Sequence, residues 1–142
     1  MQKVATELKQ LLETVPGRLA QIAEPEKSPD EGWSYKEILG HLIDSAANNH
    51  LRLVRGQLED EFHMPGYEQE EWVKIQGWHE RPWLELIILW ESYNRHLLHL
   101  IEHFNLPALS HRYFLSLDSS VTMEEVIIDY IRHLKTHLAD MI

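Results

Sequence analysis

The chain has 142 residues, of which 44% are hydrophobic and 25% charged, and these values are ordinary for one globular domain. Its formal net charge of −10, with no Lys/Arg cluster, argues against binding to nucleic acid or to an anionic membrane surface. The chain has no cysteine, which excludes disulfides and thiolate ligands, so any thiol chemistry would need an external thiol.

The start of the chain does not resemble a signal peptide. Lys3, Glu7 and Lys9 interrupt what would have to be an unbroken apolar stretch. No apolar run is long enough to span a membrane. We therefore expect a cytoplasmic protein that folds as a single domain over residues 1–142.

The first predicted helix runs from Val4 to Ala23. Its apolar residues recur at spacings of three and four, as on one face of an amphipathic helix. Pro16-Gly17 lies inside this pattern and is expected to kink or break the helix. Residues 24–32 contain two prolines and are predicted to form a loop.

The second predicted helix has a clear start. Ser34 precedes Glu37 by three residues, which is the spacing of a capping box. The helix is expected to end near Gln57 or Glu59. Its inner stripe is apolar and contains Ile38, Leu42, Ala46 and Leu53.

A long connection from Asp60 to Arg81 follows. Pro65-Gly66 and Gly77 are helix breakers within it, and a short helix is predicted between them from Tyr67 to Gln76. The connection is long enough to return along a bundle of this size. The second and third helices are therefore expected to be parallel.

The third predicted helix begins at Pro82, a residue that suits a first helical turn, and continues to Phe104. A second connection covers residues 105–121. Within it, only His111 to Leu117 is compatible with a short extended segment.

The fourth predicted helix begins at a second capping box, formed by Thr122 and Glu125, and ends near Asp140. No segment alternates convincingly between apolar and polar residues, as a half-buried strand would. The predicted fold class is therefore all-α, a four-helix bundle. The long crossover between helices two and three predicts up-down-down-up topology.

Three histidines are the candidate metal ligands. His133 and His137 are four residues apart in the fourth helix and so share a face, at the inward edge of its apolar stripe. His41 lies at the inward edge of the second helix, and reaches the same level if these two helices are antiparallel. Three imidazoles could hold a divalent ion and leave a fourth position open, as in catalytic zinc sites. With ten histidines in the chain, the alternative is that these three are hydrogen-bonded core residues.

The other histidines are not expected to be ligands. Helical angles place His96, His99 and His103 on the solvated face of the third helix. The rest are isolated in the sequence and are expected at the surface, in loops or hydrogen-bonded in the core: His50, His63, His79 and His111.

Polar side chains near the predicted metal site indicate a solvated cavity. Ser45 and Asn49 occupy inward positions of the second helix where leucine would be expected. Asp44 is a candidate to orient a ligand nitrogen, the alternative being a place on a solvated helix face. Asn48 is a further candidate. The Tyr130 hydroxyl is either a donor near the metal or a satisfied group in the core.

Three segments resemble the DinB/YfiT-like superfamily. They are WSYKEILGHLIDS at 33–45, WESYNRHL at 90–97 and DYIRHLKTHLADM at 129–141. The specific feature is the combination of G-H-L-x-D with a distant H-x-x-x-H. The resemblance covers essentially the whole chain.

The resemblance implies an up-down-down-up four-helix bundle that binds one divalent metal ion, zinc or nickel, through three histidines. Matched residue by residue, these are His41, His133 and His137. Members of the superfamily include thiol S-transferases that use bacillithiol or mycothiol, a thiol-dependent maleylpyruvate isomerase and metal-dependent hydrolases. Several are homodimers, so a homodimer is expected here.

The implied function is that of a metal-dependent enzyme acting on a small electrophilic molecule, as a thiol S-transferase or as a hydrolase. A low-molecular-weight thiol is the implied cosubstrate in the first case. One alternative is a non-catalytic binding module for a small ligand or stress signal, with the same metal site. Another is a structural metal in a dimer, which predicts a fourth protein ligand.

Overall fold

Helices account for most of the fold in the computed structural model, which describes residues 1–142. There are five: α1 Gln2–Ala20, α2 Tyr35–Leu58, α3 Gln69–Gln76, α4 Trp83–Glu102 and α5 Met123–Met141. The four long ones, α1, α2, α4 and α5, correspond to the four predicted helices. The short α3 lies in the connection where a short helix is predicted. Three short strands are also present: β1 Glu61–His63, β2 Arg112–Ser116 and β3 Ser119–Thr122.

Both predicted capping boxes are confirmed. The Ser34 hydroxyl accepts from the Glu37 amide at 3.2 Å, and the Ser34 amide donates to the Glu37 carboxylate at 3.0 Å. Thr122 and Glu125 make the same two bonds at the start of α5, at 3.2 and 3.0 Å. These bonds fix where α2 and α5 begin, and hence which side chains face the core.

Of the kink or break predicted at Pro16-Gly17, the break is wrong, because α1 continues through both residues to Ala20. Val15 and Leu19, on either side of the proline, are buried against the rest of the bundle. Their packing outweighs the hydrogen bond that the proline cannot make. The helix ends three residues before the predicted Ala23, where the indole nitrogen of Trp83 donates to the Leu19 carbonyl at 2.8 Å.

The all-α prediction omits a small three-stranded sheet. The sheet has the order β1-β2-β3, with β1 parallel to β2 and β2 antiparallel to β3. The extended segment predicted at 111–117 is confirmed as β2. Strand β1 has only three residues and pairs with residues some fifty positions away, so no local pattern marks it. Phe62 and Tyr113, paired in this sheet, pack their rings 5.1 Å apart.

Side-chain contacts join the end of α2 to the start of α5 and to the end of α4. Gly56, near the end of α2, lies against Met123 at the start of α5, so closely that a β-carbon at position 56 would overlap the methionine side chain. The Gln57 side chain accepts from the amide of Asn105, just after α4.

The core between the helices contains fully buried Leu39, Trp90 and Leu134. None of the helices combines the length and apolarity needed to cross a membrane.

Candidate metal centre

His41 lies in the first third of α2 and is only 1% exposed. Trp33, just before the helix, packs its ring 5.1 Å from the imidazole, tilted by 41°. The neighbouring residue, Gly40, has no side chain, which leaves room for Trp78 to pack on the helix backbone. The Nδ1 atom of His41 is buried and has no hydrogen-bond partner.

His133 and His137 face His41 from α5. Their ring centroids are 4.5 Å apart, and lie 5.3 and 4.9 Å from that of His41. One ring nitrogen from each of the three residues can be chosen so that all lie within 4.8 Å of one another. The structure therefore brings together the three histidines that the sequence singles out.

The spacing of these nitrogens suits one tetrahedral ion. The Nε2 atoms of His133 and His137 are 3.1 Å apart. Two nitrogens bound at about 2.05 Å to a tetrahedral ion would be about 3.3 Å apart. The unpartnered Nδ1 of His41 also fits this reading, since a buried ring nitrogen in a plain core normally has a hydrogen-bond partner. No carboxylate or further histidine joins the three, so a fourth position on a bound ion would be open.

The three imidazoles favour their neutral forms. Burial, and then the nearby His137 and His133, lower the pKa of His41 to about 4. Burial also lowers the pKa of His133, with a smaller contribution from His137, and it lowers the pKa of His137 itself. A histidine must be neutral to bind a metal, so the site is in a binding-competent protonation state near pH 7.

A cavity of about 240 Å³ adjoins His133. Polar side chains from both helices line it, and Tyr67 reaches it from the connection before α3. Burial, and then the negative charge of Asp44, raise the pKa of Tyr67 to about 12. Tyr67 therefore keeps its hydroxyl proton at neutral pH. The other polar groups of the wall are Ser45, Asn49, Arg52, Gln69, Asp129 and Tyr130.

Asp44 is buried, at 2% exposure, rather than on a solvated face. Its two carboxylate oxygens accept from the Gln76 side chain at 2.7 Å and from the indole of Trp78 at 3.3 Å. These contacts attach the α3 segment to α2 and leave no hydrogen bond to a histidine. Burial raises the Asp44 pKa, an effect that the two hydrogen bonds partly offset.

The remaining predicted pocket residues are all buried, but they differ in what they contact. Ser45 and Asn49 line the cavity, with the Asn49 amide donating to the Ser45 carbonyl at 2.9 Å. Asn48 is not among the lining residues, and its amide donates to the Asp44 carbonyl. Tyr130 lines the cavity, and its hydroxyl donates to the Asn94 side chain at 2.5 Å.

The other histidines lie outside the centre. His96 and His99 are exposed on α4, and His103 is exposed directly after its last residue, as their helical angles predict. The isolated histidines each have a local partner: His50 hydrogen-bonds Tyr93, His79 bonds Ser34, His111 bonds the Gly56 carbonyl, and His63 stacks on Phe114.

The sequence does not predict six residues of the cavity wall: Arg52, Gly66, Tyr67, Gln69, Leu115 and Asp129. Arg52 follows Ser45 and Asn49 at helical spacing, so the polar strip of α2 extends one turn further than was recognised. Tyr67 carried no comparable signal. Its position depends on how the long connection folds back over α2.

Comparison with known proteins agrees with this description. No protein-family model matches the chain. Over 110 residues, 78% of the chain, it is 26% identical to a protein of Halalkalibacterium halodurans named as a putative metal-dependent hydrolase. The chain spans 64% of the length of this curated relative.

Two solved structures have the same fold. YfiT from Bacillus subtilis, described as a probable metal-dependent hydrolase with an unusual four-helix bundle topology, superposes with a TM-score of 0.81 and 19% identity, over 96% of this chain and 82% of YfiT. The mycothiol-dependent maleylpyruvate isomerase superposes with a TM-score of 0.80 and 16% identity, over 98% of this chain and 59% of that enzyme. At these identities the likeness concerns the fold.

Proposed function

We propose that this chain is a divalent-metal-dependent enzyme acting on a small electrophilic molecule. Its fold and its curated relative confirm the resemblance to the DinB/YfiT-like superfamily. The observation that carries the proposal is the meeting of His41, His133 and His137 beside a polar cavity. Three protein ligands with an open fourth position are typical of catalytic zinc sites, whereas structural sites have four. Imidazole ligands suit both zinc and nickel.

The residues of the site have separate tasks in this proposal. A divalent ion held by the three histidines supplies Lewis acidity, which lowers the pKa of a water or thiol nucleophile. Trp33, packed on His41, limits the access of solvent to that side of the centre. Ser45 and Asn49 present polar atoms to the substrate, and Tyr67 holds a proton that it can donate at its hydroxyl.

Two nucleophiles are compatible with this arrangement. Water would give hydrolysis, the activity in the names of two of the similar proteins. A low-molecular-weight thiol would give S-transfer, and the thiol would have to be external because the chain has no cysteine. The thiol-dependent isomerase of the same fold supports including this second case.

We also infer that the bundle has up-down-down-up order, because the site requires α2 and α5 to be antiparallel. The contact of Gly56 with Met123 at one end, and of His41 with His133 at the other, supports this direction. Trp83, at the start of α4, bonds Leu19 at the end of α1, which supports an antiparallel α1 and α4. The homodimer expected from the resemblance stays a prediction, for which light scattering of the purified protein is the measurement.

Metal analysis of protein purified without an affinity tag or chelator tests the ligand assignment. We expect about one zinc or nickel ion per chain in the wild type and less than a tenth of that in His137→Ala, with unchanged helical circular dichroism. His103→Ala is the matched control, since His99 and His103 form an exposed H-x-x-x-H pair at the end of α4. Full metal occupancy in His137→Ala would refute the assignment.

The nucleophile is tested with the metal-loaded protein. Incubation with monochlorobimane and a thiol distinguishes S-transfer, while a panel of activated esters and amides without thiol distinguishes hydrolysis. Metal-dependent product in either assay, absent from His137→Ala, supports an enzyme. Tight ligand binding with no metal-dependent product in either assay would favour the binding-module alternative.

A further inference from the structure

Arg52 is a half-buried cation that lacks a strong partner. Its guanidinium lies 5.0 Å from the centroid of the Tyr113 ring, and its Nε atom is buried with no hydrogen-bond partner. Its one hydrogen bond, from Nη1 to the Asn49 side-chain oxygen, is long at 3.4 Å. A buried N–H of a charged group without an acceptor is unfavourable, so the site is incomplete as it stands.

No carboxylate forms an ion pair with Arg52, although the chain has a net charge of −10. Other arginines do form such pairs: Arg55 with Glu59, Arg81 with Glu85, Arg95 with Glu91 and Arg132 with Asp129. The two acidic residues that share a cavity wall with Arg52 are already engaged. Asp129 pairs with Arg132, and Glu125 accepts from the Thr122 amide in the capping box of α5.

Arg52 lies between two adjoining cavities. It lines the cavity of about 240 Å³ next to His133, together with a second cavity of about 590 Å³ that extends towards Val121. Asn49, Leu115 and Asp129 also border both. A molecule reaching from the metal centre along this groove would therefore pass the guanidinium.

The geometry of α2 sets the distance between the histidine centre and the Arg52 guanidinium. Arg52 is eleven residues after His41, or about 16 Å along the axis of α2. Its side chain reaches back one turn towards Asn49, which leaves about 10 to 12 Å between imidazoles and guanidinium. After about 2 Å for the metal–ligand bond and about 3 Å for the hydrogen bond are subtracted, a bound molecule has about 5 to 7 Å between its metal-facing atom and its acidic group.

We propose that Arg52 binds the carboxylate of the substrate, so that the enzyme acts on small, elongated monocarboxylic acids whose electrophilic centre lies about 5 to 7 Å from the carboxylate. This rests on the proposed function, because it takes the histidine centre as the place of reaction. A planar carboxylate matches the fork of one guanidinium. A phosphate dianion fits less well, because the Asp129 carboxylate borders the same cavity and only one cation faces it.

Cobalt-substituted protein tests the proposal without an assay of activity. A thiol that binds the cobalt ion gives a sulfur-to-metal charge-transfer band, which can be titrated. We expect 6-mercaptohexanoate to bind about tenfold more tightly than 6-mercapto-1-hexanol to the wild type. Arg52→Gln should abolish this preference, and Arg52→Lys should retain part of it.

Arg55→Gln is the matched control, because it removes one positive charge from the same helix at a residue that pairs with Glu59 outside the cavities. It should keep the full preference for the carboxylate. Equal affinity of the two thiols for the wild type, or an equal loss of preference in Arg55→Gln and Arg52→Gln, would overturn the proposal.

A second measurement separates this inference from the metal proposal. In metal-free protein, hexanoate but not 1-hexanol should shift the side-chain Nε–H resonance of Arg52, which is assigned by its loss in Arg52→Gln. If cobalt does not bind but this shift occurs, the function proposal fails and the carboxylate site stands. If thiols bind the cobalt and hexanoate causes no shift, the metal centre stands and the role of Arg52 is wrong.

Discussion

Burial is the main reason why the imidazole of His41 favours its neutral form. At 1% exposure and with two histidines facing it, it has little solvent or opposite charge to stabilise a proton. His99 also has two histidines nearby, His96 and His103, but it is exposed to solvent. Solvent exposure thus distinguishes the exposed pair His99 and His103 from the half-buried pair His133 and His137, although both have H-x-x-x-H spacing.

This burial predicts a pH dependence of the free energy of unfolding of the metal-free protein. The folded-state pKa of His41, about 4, lies below its ordinary value near 6.5, so the unfolded chain takes up the proton first. Stability from the neutral His41 is therefore complete above about pH 6.5. It is lost as the pH falls towards 4, by a total of about 3 kcal/mol.

Urea denaturation of wild type and His41→Gln in the presence of chelator checks this prediction. The glutamine cannot be protonated, so the free energy of unfolding of the wild type relative to the variant should decrease between pH 7 and 4. A constant difference between wild type and His41→Gln over this pH range would contradict the prediction.

At the scale of the elements, two helical glycines differ in how closely other side chains pack against them. A β-carbon at Gly40 of α2 would overlap the Trp78 ring, whereas one at Gly17 of α1 would meet nothing within 4 Å. Trp78 also donates to Asp44, so the close approach at Gly40 helps to hold the segment after α3 on α2. The absent side chain at position 40 thus has a structural purpose next to His41.

The two glycines predict opposite effects of substitution by alanine. Gly40→Ala should lower the free energy of unfolding by about 1 to 3 kcal/mol, because Trp78 must move out of its place. Gly17→Ala should raise it by up to about 1 kcal/mol, through the greater helix propensity of alanine. Both values come from urea denaturation, and a stabilising Gly40→Ala would show that Trp78 does not pack as described.

At the scale of the whole molecule, the candidate centre joins two helices that are far apart in the sequence. His41 is on α2, while His133 and His137 are on α5. The connections between them carry the sheet and α4, so the three imidazoles meet only after the bundle has formed. An ion bound by all three would then favour the folded state over the unfolded chain.

Metal binding is accordingly expected to raise the thermal stability. At a free metal concentration one hundred times the Kd, the gain is about 2.7 kcal/mol, or an increase in Tm of roughly 8 °C for a chain of this size. Differential scanning calorimetry with and without zinc measures it. His41→Ala should lose the increase and His99→Ala should retain it, and an equal increase in both variants would place the stabilising ion elsewhere.

Local residue patterns were sufficient for the helix starts and for the candidate ligands. Ser34 with Glu37, and Thr122 with Glu125, mark helix starts because each box uses bonds between residues three apart. The inward direction of His133 and His137 follows from helical periodicity in the same way. These features depend only on neighbours along the chain, so they can be predicted from the sequence.

Features that depend on distant partners could not be predicted in this way. β1 forms because β2 lies beside it, and α1 continues past Pro16 because its two sides pack on the bundle. Asp44 is buried because Gln76 and Trp78 fold over it, and Arg52 meets the Tyr113 ring and the Asn49 side chain rather than a carboxylate. These outcomes are set by which groups meet across the folded molecule, and a one-dimensional pattern does not contain that information.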